Sequence, residues 1–129
     1  MDQIRLKAEF AVSALELYSA WLDPLLHGSM SYGGEAHIEA VIGGAFDCGD
    51  GYISGKNLEL DPGARILQSW RTTDFAGDQA ETLLELSFQD STSGCTLTLV
   101  HTGFPAEQVD EYRQGWEEYY LRPMKVYFG

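Results

Sequence analysis

The segment Gly115–Gly129, GWEEYYLRPMKVYFG, decides how the rest of the chain must fold. It carries five aromatic residues, a glycine beside a tryptophan and a proline. Taken upstream to Pro105, where the residue types open a helix, it places Val109, Tyr112, Trp116, Tyr120, Pro123 and Tyr127 at spacings of three and four. That spacing is one continuous apolar stripe. Glu111, Gln114, Glu118, Arg122 and Lys125 fall opposite, with Glu118 and Arg122 spaced as a favourable i,i+4 pair. Burying one large apolar side chain contributes roughly 1.5–3 kcal/mol. The stripe therefore outweighs two defects inside the helix. Gly115 costs about 1 kcal/mol against alanine. Pro123 costs about 3 kcal/mol and removes the hydrogen bond to residue 119, which predicts a kink. Gly115 predicts a close approach of the helix backbone to a neighbour. A stripe this wide needs a large surface to cover it.

The preceding residues supply that surface. QIRLKAEFA (3–11) alternates Ile4, Leu6, Ala8 and Phe10 with Arg5, Lys7 and Glu9, the pattern of a half-buried strand. Ser13 followed by Glu16 forms a capping box, so a helix begins there with Leu15, Tyr18 and Leu22 on one face. Asp23-Pro24 opens a second short helix, which Gly28 ends, with His27 as a terminal residue. From Glu35 onward, turn-forming residues recur at short intervals: Gly43-Gly44, Asp47 to Gly51, Asp61-Pro62-Gly63 and Ser91 to Gly94. Between them AHIEAVI, AFDC, YISGKNLEL, ARILQSWRTT, ETLLELSFQ and CTLTLVHT read as strands of a hairpin meander. In the last of these Leu97, Leu99 and His101 share one face. The chain is therefore expected to be α+β. A curved antiparallel sheet of about six to seven strands wraps a long C-terminal helix, with two short helices after the first strand.

Residues 1–129 fit a single domain with one hydrophobic core. The net charge of −12, from 20 acidic and 8 basic side chains, argues against nucleic acid and anionic membranes as partners. No apolar run reaches the roughly 18 residues of a membrane span. The start, MDQIRLKAEF, does not read as a signal peptide, so a soluble cytoplasmic protein is expected. Cys48 and Cys95 belong to no CxxC pair or His/Cys cluster. They are expected as free, buried thiols, and neither a metal nor a cofactor is expected.

Three stretches carry a resemblance. LELDPGARILQSWRTTDF (58–75), TLTLVHTGFP (96–105) and QGWEEYYLRPMKVYFG (114–129) resemble the family named for the activator of the ninety-kilodalton heat-shock chaperone ATPase. The strand ending in Trp70-Arg71 matches, as do Gly103-Phe104-Pro105 before the last helix, Gly115-Trp116, Tyr119-Tyr120, Lys125 and Phe128. The resemblance covers essentially the whole chain. It implies the helix-grip fold shared with the birch-pollen allergen and START lipid-transfer domains, and it implies a chaperone partner. Eukaryotic activators add a separate N-terminal domain that makes much of the chaperone contact, and these 129 residues hold no counterpart of it. The family has no shared catalytic motif.

Nor do the residues supply one. There is no GxSxG, HExxH or phosphate-cradling glycine loop, so no catalytic residue is assigned. His37 and Glu39 alternate on one strand face, as an acid–base pair or as two solvated side chains. Strand parity and the helix stripe select Tyr52, Trp70, Leu86, Phe88, Leu99, Trp116 and Tyr120 as the lining of a cavity between sheet and helix, with His101 on the same inward face. The same side chains are equally able to fill that space as solid core. His101 is then either a satisfied core histidine or the polar group that orients a ligand. Gly33-Gly34 and Gly43-Gly44 either flank a mobile mouth or form ordinary turns. The leading expectation is a non-enzymatic protein that binds a small apolar, aromatic or lipid-like molecule. A chaperone-associated factor is the alternative, and a cyclase or hydrolase of aromatic substrates the third. A monomer and a homodimer are both compatible with the sequence.

Overall fold

A computed structural model describes residues 3–31 and 34–129. Seven strands form one sheet: β1 Gln3–Phe10, β2 His37–Ile38, β3 Ala45–Cys48, β4 Ile53–Asp61, β5 Arg65–Thr72, β6 Thr82–Ser91 and β7 Gly94–Thr102. Their order is β1-β7-β6-β5-β4-β3-β2, and every pairing is antiparallel. Strands β2 to β7 thus form a plain meander, and β1 returns to pair with the last strand. Helices α1 (Ala14–Leu22) and α2 (Pro24–Met30) follow β1. The chain closes with a 3-10 turn (Ala106–Gln108), α3 (Val109–Trp116), a π-helical turn (Glu117–Leu121) and α4 (Arg122–Phe128). The curved antiparallel sheet gripping a long terminal helix is the architecture the sequence pattern predicts. Among the described residues no helix is long and apolar enough to cross a membrane.

Strand parity sets the inner face. Ile66, Gln68, Trp70 and Thr72 on β5 are buried, as are Leu84, Leu86 and Phe88 on β6 and Leu97, Leu99 and His101 on β7. The β6–β7 register sets Leu84 opposite His101, Leu86 opposite Leu99 and Phe88 opposite Leu97, so each inward pair packs side by side. The terminal helix covers this face and also closes the β1 edge. Lys125 Nζ donates to the Glu9 carbonyl at 2.6 Å, Arg113 Nη2 to the Gln3 carbonyl at 3.4 Å, and the Ala11 amide to the Gly129 carbonyl at 3.2 Å. An edge whose carbonyls are so occupied is a poorer template for another strand.

Several local expectations are corrected. Leu15 is 57% exposed; the buried side of α1 is Ala14, Leu17, Tyr18 and Trp21, a face set by the large indole. Helix α2 runs past Gly28 to Met30, and Gly28 instead marks a close approach, since a Cβ there would lie 2.8 Å from the Gly34 carbonyl. AHIEAVI contributes only His37–Ile38 to the sheet. Beyond it Val41 and Gly44 turn back on Glu39 and Val41 through backbone hydrogen bonds of 2.8 and 2.9 Å. Buried Asn57, at a register shift in β4, holds that turn by donating to the Glu39 carbonyl at 2.8 Å.

The proline expectation changes most. Five residues before the Arg122 amide, the Glu117 carbonyl accepts its hydrogen bond, so the helix answers Pro123 with one wide π turn. Four-residue spacing drifts around an α-helix of 3.6 residues per turn, and the wider turn offsets the drift. The buried stripe therefore continues from Tyr112, Trp116 and Tyr120 to Met124, leaving Tyr127 49% exposed. The expected Glu118–Arg122 pair is replaced by Glu118 accepting from Gln114 Nε2 at 3.0 Å.

Candidate functional site

Two buried histidines fix the terminal helix from opposite directions. His101 on β7 is 0% exposed, and its Nδ1 lies 2.9 Å from Trp116 Nε1. An indole N–H only donates, so Nδ1 accepts and the proton sits on Nε2. Nε2–H then donates to Thr82 Oγ1 at 2.8 Å, and the threonine hydroxyl donates to the Trp70 carbonyl at 2.8 Å. Each member of this chain is satisfied, and the ring is neutral. Burial holds the His101 pKa down at about 3. His27 on α2 is also engaged at both nitrogens, in the opposite tautomer. Its Nδ1 donates to the Trp21 carbonyl at 2.8 Å, which leaves Nε2 to accept from the Tyr120 hydroxyl at 2.8 Å. Burial lowers this pKa as well, against the backbone hydrogen bond that raises it. The Cys48 thiol adjoins Tyr120; burial, then Asp47, pushes it up to about 12, and burial raises Tyr120 too. Cys48 and Cys95 are both free and buried.

The other side of α3 is open. A half-open cleft of about 650 Å³ lies between α3, the π turn and the β3–β4 hairpin. Its wall is a run of touching rings: Tyr112 to Trp70 at 5.7 Å between centroids, Trp70 to Trp116 at 5.7 Å, and Trp116 to Tyr120 at 4.8 Å. Tyr52 and Tyr119, 39% and 50% exposed, add two further rings that reach water. Local chemistry places each one. The left-handed residues Gly49, Asp50 and Gly51 form the tight turn that precedes Tyr52. The Tyr52 hydroxyl donates to Asp74 Oδ2 at 2.7 Å, and Tyr112 OH pairs with Thr72 Oγ1 at 2.9 Å. Gly115 also lines the cleft, where an added Cβ would meet only Tyr119 Cδ2 at 3.9 Å. The expected close backbone approach at Gly115 is therefore absent; the missing side chain leaves space instead.

Four of the eight expected cavity residues, Tyr52, Trp70, Trp116 and Tyr120, come together on this cleft. The other four do not. Leu86, Phe88, Leu99 and His101 lie buried in the solid core behind it, Phe88 edge-on to Tyr18 at 5.8 Å. His101 has both nitrogens engaged within the protein, as a satisfied core histidine would. His37 is exposed and meets Asp47 Oδ1 at 3.0 Å and Glu35 Oε1 at 3.4 Å, not Glu39. Gly33 lies outside the described residues. Gly34 (φ 79°) packs against the Gly49 backbone. Sequence reasoning missed Tyr112, Tyr119, Asp74, Glu111 and Glu118 as lining, and it missed His27 as a buried anchor. A signal existed: Glu111, Gly115 and Tyr119 are spaced by four, a second helix face beside the apolar stripe.

Comparison with known proteins places this geometry. The family model described as Activator of Hsp90 ATPase homolog 1-like protein matches residues 11–129. The human protein named Activator of 90 kDa heat shock protein ATPase homolog 1 is 32% identical over 127 residues, 98% of this chain and 37% of that protein. The Dictyostelium discoideum relative of similar name is 28% identical over 129 residues, 98% of this chain and 33% of that protein. The chain thus spans about a third of the length of the curated relatives it matches. Among solved structures, an HSP90 activator from Plasmodium falciparum has the same fold, with a TM-score of 0.83 at 21% identity over 97% of this chain and 94% of that one.

Proposed function

Since the chain belongs to the family of Activator of Hsp90 ATPase homolog 1-like proteins, we propose that it uses this fold as a non-enzymatic binding protein, holding a small apolar or aromatic molecule in the cleft beside α3. One observation carries this reading: a ring-walled space of about 650 Å³ stands open beside α3. Ligand sites are concave, largely preformed and of about 300–1,000 Å³. The wall is preformed here because Trp116 and Tyr120 are tied to buried histidines and Tyr112 to Thr72. A ligand then orders little of the protein on binding, which lowers the entropic cost of association.

The test is native mass spectrometry of the protein purified from its own host, beside a Gly115→Trp variant. A Cβ at Gly115 meets nothing nearer than Tyr119 Cδ2 at 3.9 Å, and the added indole is designed to fill the cleft that Gly115 lines. A small molecule should accompany the parent protein and be absent from the variant. A parent protein free of any companion, with an indole NMR spectrum unmoved by a screen of aromatic compounds, would overturn the proposal.

A chaperone-associated role is the second reading, favoured by the names of the relatives the chain matches. It calls for a measurement of Hsp90 ATP turnover with this protein added to saturation. A rise in turnover supports it, and an unchanged rate removes direct activation.

A further inference from the structure

We infer that the cleft selects a cation, specifically a small organic ammonium compound with an aromatic or apolar body; this rests on the binding reading above. Six rings line the cleft, Tyr52, Trp70, Tyr112, Trp116, Tyr119 and Tyr120, and every one is tyrosine or tryptophan although the chain holds six phenylalanines. Ile53 is the sole aliphatic side chain of three carbons or more in the described lining. A hydrocarbon tail would find little that matches it here, so the lipid-like ligand of the sequence reading fits poorly. Electron-rich ring faces are the surfaces that attract ammonium groups through their quadrupole.

The charged side chains of the lining have one sign. Asp74 follows β5 on one side of the cleft; Glu111 and Glu118 stand on the terminal helix on the other. No lysine, arginine or histidine lines the cleft among the described residues. In an acidic chain, three carboxylates in a depression would mean little alone. Their partners make the difference. Asp74 takes its hydrogen bond from the Tyr52 hydroxyl and Glu118 from the Gln114 amide, both neutral donors. The ion pairs of the described residues lie elsewhere, at His37 and Arg65. Nearby Arg71 lies over the Phe75 ring, 5.6 Å from its centroid, and does not line the cleft. The cleft therefore holds carboxylates without an ion-pair partner among the described residues, beside aromatic rings. An anionic ligand would meet like charge from two sides, whereas an ammonium compound would be attracted by both the carboxylates and the rings. The net charge of −12 adds long-range attraction of the same sign.

Three probes of one shape separate the possibilities: 2-naphthylmethylamine, 2-naphthylmethanol and 2-naphthoate, titrated calorimetrically at low salt and followed by the indole NMR signals. The amine should bind about tenfold more tightly than the alcohol, and the carboxylate most weakly. Replacing Asp74→Asn, Glu111→Gln and Glu118→Gln together should bring amine and alcohol to within about threefold. The same number of neutralisations outside the cleft, at Glu9, Asp78 and Glu107, should leave the gap in place. Should the triple cleft variant fold poorly, the Glu111→Gln variant alone should narrow the gap. An alcohol that binds as tightly as the amine to the parent protein, and to neither Gly115→Trp nor any other plugged form, overturns charge selection and leaves the binding reading standing. A gap that closes equally with the remote neutralisations also overturns it, since the overall field would then be its source. No binding of any probe removes both.

Discussion

The terminal helix has two sides that use the same kinds of residue to opposite ends. Towards the sheet and α2, its rings are locked: the Trp116 N–H is committed to His101 and the Tyr120 hydroxyl to His27. Towards the β3–β4 hairpin, one residue away, Gly115 supplies no side chain and Tyr119 stands half in water. The locked side obeys the rule that a buried polar group must find its partner, and it does so with histidines kept neutral by burial. The open side retains solvent access, so its polar groups need no such closure. A tightly tied inner side is what allows the outer side to remain concave without collapsing.

The comparison breaks most visibly at Trp116. Trp116→Ala should cost about 3–5 kcal/mol of stability in urea unfolding, since it opens a cavity and strands His101 Nδ1. Acid comes next. The folded His101 pKa is about 3 and that of His27 is also lowered, whereas both titrate near 6.5 when unfolded. Between those values the unfolded chain binds protons that the folded one refuses, so stability falls as pH drops from about 6.5 towards 3. His101 alone should remove about 2 kcal/mol at pH 5 relative to pH 7, and His101→Leu should flatten that slope. Level stability across this range would mean that the histidines are not held neutral. Cys48 and Tyr120 act at the other extreme, where the folded protein keeps protons the unfolded chain sheds, so stability should decline again in alkali. Tyr120→Phe should cost about 1–2 kcal/mol, the price of an unpaired His27 Nε2. The open side responds differently. Gly115→Ala should raise stability by up to about 1 kcal/mol, because it improves helix propensity and meets only ordinary contact at Tyr119. Tyr119→Ala should stay within about 0.5 kcal/mol, and a larger loss would show that the cleft wall belongs to the core.

The locked side was the legible one. The Ile4 to Phe10 alternation, the Ser13 cap, the meander and the stripe from Val109 to Tyr120 are all local patterns, and each fixed an element or its inner face. What local pattern cannot carry is partnership between distant residues. His27 stands 93 positions from Tyr120, and its neighbourhood reads only as a helix end. Thr82, the acceptor for His101, lies on another strand, so the histidine's two readings were left undivided by sequence. The inward residues Leu86, Phe88 and Leu99 have the same parity as Trp70, and parity alone does not say where along a strand the core ends and a cleft begins. Pro123 was legible as a disturbance. Its form, a π turn that carries the stripe to Met124, depended on what lay beneath it.

The central claim is that the terminal helix is tied to the sheet through the Trp116 indole while its neighbouring face stays open. Hydrogen exchange of the Trp116 indole N–H, followed by NMR on labelled protein under native conditions, tests it directly. The claim predicts exchange only through global unfolding, with a protection free energy matching that from urea. Exchange of Trp116 at the rate of a solvated indole would contradict it, for the hydrogen bond to His101 would then not hold the helix in place.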